Sequence, residues 1–106
     1  MKTVKIMNEF LHSPLWIYED EIVTEGVSII ENDSILQALC ENAAGMFADY
    51  YEFDSHDQSC WFNHEKEKAE KEAMLNLIAL IIARLNEIND GSFEIEDLET
   101  ERLKEL

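Results

Sequence analysis

The spacing of apolar residues changes several times along the chain, and each change marks an element. Thr3–Met7 alternates, with Val4 and Ile6 on either side of Lys5. That period of two suits a short strand, and a helical turn running to Leu11 is the competing reading. Ser13-Pro14 breaks whatever precedes it, because proline disfavours a helical residue before it. Leu15-Trp16-Ile17-Tyr18 is aromatic and β-favouring. With Ile22-Val23 and Val27–Ile30 around Gly26, it predicts an irregular hairpin or a pair of loops packed on a helix. Trp16 reads as a core anchor there, although a partly exposed Trp would suit an interface.

Two helices are clearer. The first starts at Asn32-Asp33-Ser34, where Asp33 or Ser34 can cap the free N–H groups, and runs to about Phe53. Ile35, Leu36, Leu39, Cys40, Ala43, Met46, Phe47 and Tyr50 then share an arc of about 140°. The second helix begins near His64 and runs to about Asn89. Lys66/Glu70, Glu67/Lys71 and Lys68/Glu72 stand at i,i+4 spacing in its first turns. From Ala73 to Ala83 only Asn76 is polar, which predicts a helix surrounded on all sides. Asp90-Gly91-Ser92 ends it, with Gly91 suited to the left-handed position. Phe93–Glu96 alternates as a strand that can pair with Thr3–Met7, followed by a final helix from about Asp97. The expected fold is therefore predominantly α, or α+β if the terminal strands form. It is a single domain over 1–106, built on two long helices (about 33–53 and 64–89), with short strands or loops near 3–7, 15–30 and 93–96.

Charge changes the picture more than composition does. Eight basic residues face twenty-four acidic ones, a net of −16, and no Lys or Arg occurs from Ile6 to Glu65. Such a field repels phosphate, so direct nucleic-acid or anionic-membrane binding is disfavoured and basic protein partners are favoured. The segment Met1–Leu11 is interrupted by Lys2, Lys5 and Glu9, unlike a secretory leader. No apolar run reaches membrane-spanning length. A cytoplasmic protein with Cys40 and Cys60 reduced is expected, and a disulfide between them remains open.

The stretch Asp54–Glu65 holds the reactive side-chain types. As a calcium loop it fails, because His56, Gln58 and Ser59 stand where acids and a glycine are needed. As a zinc site, His56, Cys60 and His64 have i, i+4, i+8 spacing with Asp57 nearby, but the paired cysteines of zinc modules are missing. No acid/base pair is distinguished by its surroundings, so no catalytic residue, cofactor or metal is expected. Asp49-Tyr50-Tyr51-Glu52-Phe53-Asp54 interleaves acids with aromatics, a mixture suited to Lys- and Arg-rich surfaces; the equal alternative is that Tyr50 and Phe53 finish the core face and the acids are solvated. The candidate partner-binding residues are Glu19, Asp20, Glu21, Glu41, Asp49, Tyr51, Glu52, Asp54 and Asp57.

A small acidic chain with a Tyr-Tyr pair among carboxylates resembles bacterial toxin-immunity proteins, above all those of contact-dependent growth inhibition and related polymorphic-toxin systems. Val4-Lys-Ile-Met7, Pro14-Leu-Trp16, the capped start at Asp33-Ser34 and Cys60-Trp-Phe62 before a long helix carry the likeness. The resemblance implies a stoichiometric inhibitor of a cognate, basic toxin domain, such as an RNase or DNase, whose cleft the acidic surface covers. The alternatives are a nucleic-acid mimic that inhibits a host DNA- or RNA-binding protein, and an acidic adaptor or assembly subunit.

Overall fold

The computed structural model describes residues 1–24, 26–55 and 58–106, the side chains of 54, 55, 58 and 59 excepted. The elements are β1 (Lys2–Ile6), β2 (Leu15–Glu19), β3 (Ile22–Val23), α1 (Ser28–Glu31), α2 (Ser34–Ala48), β4 (Tyr51–Ser55), β5 (Gln58–Phe62), α3 (His64–Ala69), α4 (Lys71–Ile88), β6 (Phe93–Asp97) and α5 (Thr100–Lys104). The fold is α+β, not predominantly α. Both terminal strands form, and a second strand pair replaces helix in the middle of the chain.

The main sheet has the order β3-β2-β1-β6. β1 pairs antiparallel with β2 and parallel with β6, the latter in the register Val4↔Ile95. The alternation read from Thr3–Met7 and Phe93–Glu96 therefore has a direct use. It sends Val4, Ile6 and Phe93 into the core, together with Leu15, while Ile17 and Ile95 pack against its edge. From the other side, α2 contributes Leu36, Cys40, Ala43 and Phe47, and α4 contributes Met74, Ile78, Ile81 and Leu85.

Both long helices differ from expectation in ways that have physical causes. The helix expected over 33–53 stops at Ala48, with Asp49 as its C-cap. Continuing as helix would turn Tyr51 and Phe53 to different sides. As strand β4 they share a side, and Tyr51 pairs with Phe62 of β5. Ile35, on the expected buried arc, is 55% exposed. The helix expected over 64–89 breaks at Glu70, whose backbone (φ −98°, ψ 11°) closes α3 and opens α4. None of the three expected i,i+4 ion pairs occurs among the described residues: Glu67 turns inward to Arg102, Lys71 donates to the Leu106 carbonyl and Lys66 donates to the Asp49 carbonyl. Nor is Ala73–Ala83 surrounded. One stripe of α4 is buried, while Ala73, Ala79 and Ala83 face outward and Leu80 is 55% exposed.

Local punctuation is closer to expectation. Asp33 caps α2, accepting from the Leu36 N–H at 2.8 Å. Gly91 takes the left-handed conformation at φ 94°. Asp97 ends β6 and accepts from the backbone N–H groups of Glu99 and Thr100, so the last helix starts at Thr100 and not Asp97. Among the described residues no helix is long and apolar enough to cross a membrane. Both cysteines are free, Cys40 buried in α2 and Cys60 exposed on β5. Burial raises the Cys40 thiol to about 11.

Asp33 does a second job. Arg84 on α4 donates to both of its oxygens, the shortest contact being 2.6 Å, and so ties the start of α2 to α4. The guanidinium holds the Asp33 carboxyl below its ordinary value of 3.8. A folded value below the unfolded one stabilises the fold above pH 3.8, and this contribution is lost as pH falls through the folded value. Arg84→Met should therefore be less stable than the parent chain at about pH 6, and the gap should narrow in acid. Urea denaturation across that range measures it, and a gap independent of pH would remove the ion pair as its cause.

Candidate interaction surface

The chain between β1 and β2 forms a short projection. The Met7 N–H donates to the Pro14 carbonyl at 2.9 Å and closes its base. A bridge between Glu9 and His12 leaves Phe10-Leu11 at its tip. Leu11 has φ 59° and is 81% exposed. That conformation favours Gly or Asn, and a leucine there meets its own carbonyl through Cβ. Phe10 folds back onto the β4–β5 pair, its ring centroid 4.4 Å from Tyr51 and 5.9 Å from Phe53. Phe53 is itself 58% exposed. The exposed Leu11 tip and the exposed Phe53 are thus joined through Phe10, an apolar knuckle whose inner side is Tyr51.

A buried polar cluster holds this projection in place. Glu99, only 2% exposed, accepts from the Asn8 N–H at 3.1 Å and from the Asn8 amide at 3.3 Å. Arg102 donates to Glu99 through Nε at 2.8 Å, and also through its terminal nitrogen. The same terminal nitrogen reaches Glu67, 1% exposed, at 2.7 Å. Nearby, the Tyr50 hydroxyl is buried and unpaired among the described residues. Burial pushes it up to about 12, and the Glu70 and Glu67 carboxylates add to the shift.

The candidate partner residues do not converge on one place. Glu19, Asp20 and Glu21 form the β2–β3 turn, where Asp20 and Glu21 both have positive φ (52° and 66°). That turn lies at the start of β1, whereas the knuckle lies at its end, about 16 Å of strand away. Glu41 is on the outer side of α2, about 12 Å along the helix from Asp49. Asp49 sits beside the knuckle's base, and its carbonyl accepts from the Lys66 ammonium at 3.4 Å. Tyr51 is half-buried, packed edge-on against Phe47 and Phe62, and is more support than contact. Glu52 accepts from the Asn63 amide at 2.7 Å. The Asp54 side chain and the whole of Asp57 lie outside the described residues, as does His56.

Glu19, Asp20, Glu21, Glu41 and Asp49 are all exposed, and none has an ion-pair partner among the described residues. No group of three or more His, Cys, Asp and Glu among the described residues is placed to hold a metal. Beside the β2–β3 turn lies an open hollow of about 390 Å³ lined by Met1, Lys2, Glu19, Ser28 and Ser92 among others. Phe10 and Leu11 were absent from the sequence candidates; the exposure and positive φ of Leu11 and the ring contacts of Phe10 bring them to this place. No protein-family model, curated protein or solved structure matches the chain.

Two outcomes follow. Leu11→Asn should raise stability by up to about 1 kcal/mol, since Asn tolerates the left-handed conformation and an exposed side chain loses no packing. A lower melting temperature would show that Leu11 is held by contacts instead. Arg102→Ala should destabilise by about 2–4 kcal/mol, below the full effect of breaking a buried pair because Arg102 is partly exposed. Chemical denaturation reads the loss, and a change under about 1 kcal/mol would mean that water replaces the guanidinium.

Proposed function

We propose that this chain is an immunity-type inhibitor. It binds the basic nuclease domain of a toxin and covers its phosphate-binding cleft, without turnover. The observation that carries the reading is the set of exposed acids with no ion-pair partner among the described residues, Glu19, Asp20, Glu21, Glu41 and Asp49. Carboxylates left open to solvent on a chain of net charge −16 repel phosphate and steer a basic partner into encounter. Charge alone gives speed and not persistence, because rim charges affect association more than dissociation. The Leu11–Phe53 knuckle supplies the second requirement, an apolar anchor that fills a pocket and slows release. The proposed site of action is the cytoplasm, where Cys40 and Cys60 stay reduced.

The test is capture from an extract of the source cells on the immobilised chain, washed at rising salt and identified by mass spectrometry. The expected result is one basic partner that survives moderate salt and whose nuclease activity falls to nothing at one equivalent of inhibitor. A broad set of nucleic-acid-binding proteins lost with salt would overturn it in favour of a general mimic. With the partner in hand, Leu11→Asn combined with Phe53→Ala should weaken binding about 30-fold or more, mostly through faster dissociation.

A further inference from the structure

The main sheet has two faces, and the helices cover one of them. The residues between the core positions, Thr3, Lys5, Trp16, Tyr18, Glu94 and Glu96, point the other way by the alternation of a strand. None of them is buried, and Glu94 and Glu96 are exposed. Trp16, read from the sequence as a core anchor, lies half-buried on this open face and donates from its indole N–H to the Met7 carbonyl at 3.1 Å. Its ring is stacked on that of His12, with centroids 3.7 Å apart.

The face already holds a cation. The Lys5 ammonium stands 4.5 Å from the centre of the Tyr18 ring and 3.9 Å from a Glu96 oxygen. An aromatic face and a carboxylate therefore converge on one positive charge, with Trp16 directly across the strand pair from Lys5. Aromatic rings attract cations through their quadrupole, and a guanidinium does this better than an ammonium because it also stacks and is less strongly hydrated. We propose that this open sheet face is a docking surface for an arginine-bearing segment of the basic partner. Lys5 marks the position that the guanidinium takes, and Glu94 and Glu96 complete the charge match. A second copy of the chain is disfavoured as occupant by the shared charge of −16, and nucleic acid for the same reason. The inference rests on the reading of a basic partner and extends it from the knuckle to the neighbouring sheet.

A hexa-arginine peptide titrated into the isotope-labelled full chain tests it by NMR. The largest shifts should fall on the Trp16 indole and on backbone amides of β1, β2 and β6. Glu94→Lys with Glu96→Lys should weaken the peptide about fivefold more than Glu72→Lys with Glu101→Lys, an equal charge change at exposed helix positions outside the proposed contact acids. Lys5→Met should tighten binding more than Lys2→Met, since it vacates the cation position at the same change of charge. Shifts centred on Glu19–Glu21 or Asp49, or equal effects of the two double variants, would overturn the proposal. The peptide reports on the face whether or not a toxin is found. Mapping to the face without any captured partner removes the functional reading alone. A captured partner indifferent to Glu94→Lys with Glu96→Lys removes the face alone.

Discussion

Two nearly buried carboxylates, Glu67 and Glu99, would oppose folding if Arg102 did not stand between them. Burying an unpaired charge costs several kcal/mol, so the guanidinium decides whether three separate segments can meet. Glu67 brings α3, Glu99 brings the start of α5, and Asn8 brings the chain leaving β1. Glu67 reaches Arg102 from α3, the short helix that closes at Glu70. What the cluster positions is the projection ending in Leu11. An exposed apolar tip in a disfavoured conformation rests on a buried ionic base, so backbone strain at the tip is over-determined from below.

The legible parts of the fold were those decided within a few residues. Asp33 and Gly91 announced a helix start and a helix end through their own chemistry, and Val4-Lys5-Ile6 announced a strand. The hidden parts were those decided from far away. No glycine or proline marks the switch at Asp49 from helix to strand, and Tyr50 faces the core in either description. The inward turn of Glu67 is matched by an arginine 35 positions later, which no local pattern announces. In Leu15–Tyr18 both phases of the alternation are apolar, so the pattern could not tell the core side, Leu15 and Ile17, from the open side, Trp16 and Tyr18. Of the candidate site, the acids were readable as a population but not as a place. The structure divides them between two ends of the sheet and one helix side, and Phe10 and Leu11, which join Phe53 beside Asp49, come from a segment that the acid–aromatic pattern does not include.

The few basic residues are used sparingly and mostly inside the fold's own contacts. Arg84 joins α2 to α4, Arg102 joins the buried cluster, and Lys5 bridges Tyr18 and Glu96. Lys66 and Lys71 donate to backbone carbonyls. Cations that hold the structure together are not available to soften the outer field. A partner therefore meets a predominantly negative surface, on which Lys66, Lys68 and Lys104 are the exposed lysines, while the interior pairs are balanced. Salt screens the former far more than the latter, which separates recognition from stability in their response to ionic strength.

The parallel pairing of β1 with β6 has a consequence for when the protein exists at all. β1 lies in the middle of the sheet, yet one of its neighbours is encoded about ninety residues later. A ribosome-bound chain can close the β1–β2 hairpin early, but its central strand keeps one edge open until β6 has left the exit tunnel. Contacts of such long sequence separation also slow the search for the native state. The second edge of β1 is thus covered only once β6 has been made, and any truncation before Phe93 leaves that edge open instead of a smaller version of the fold.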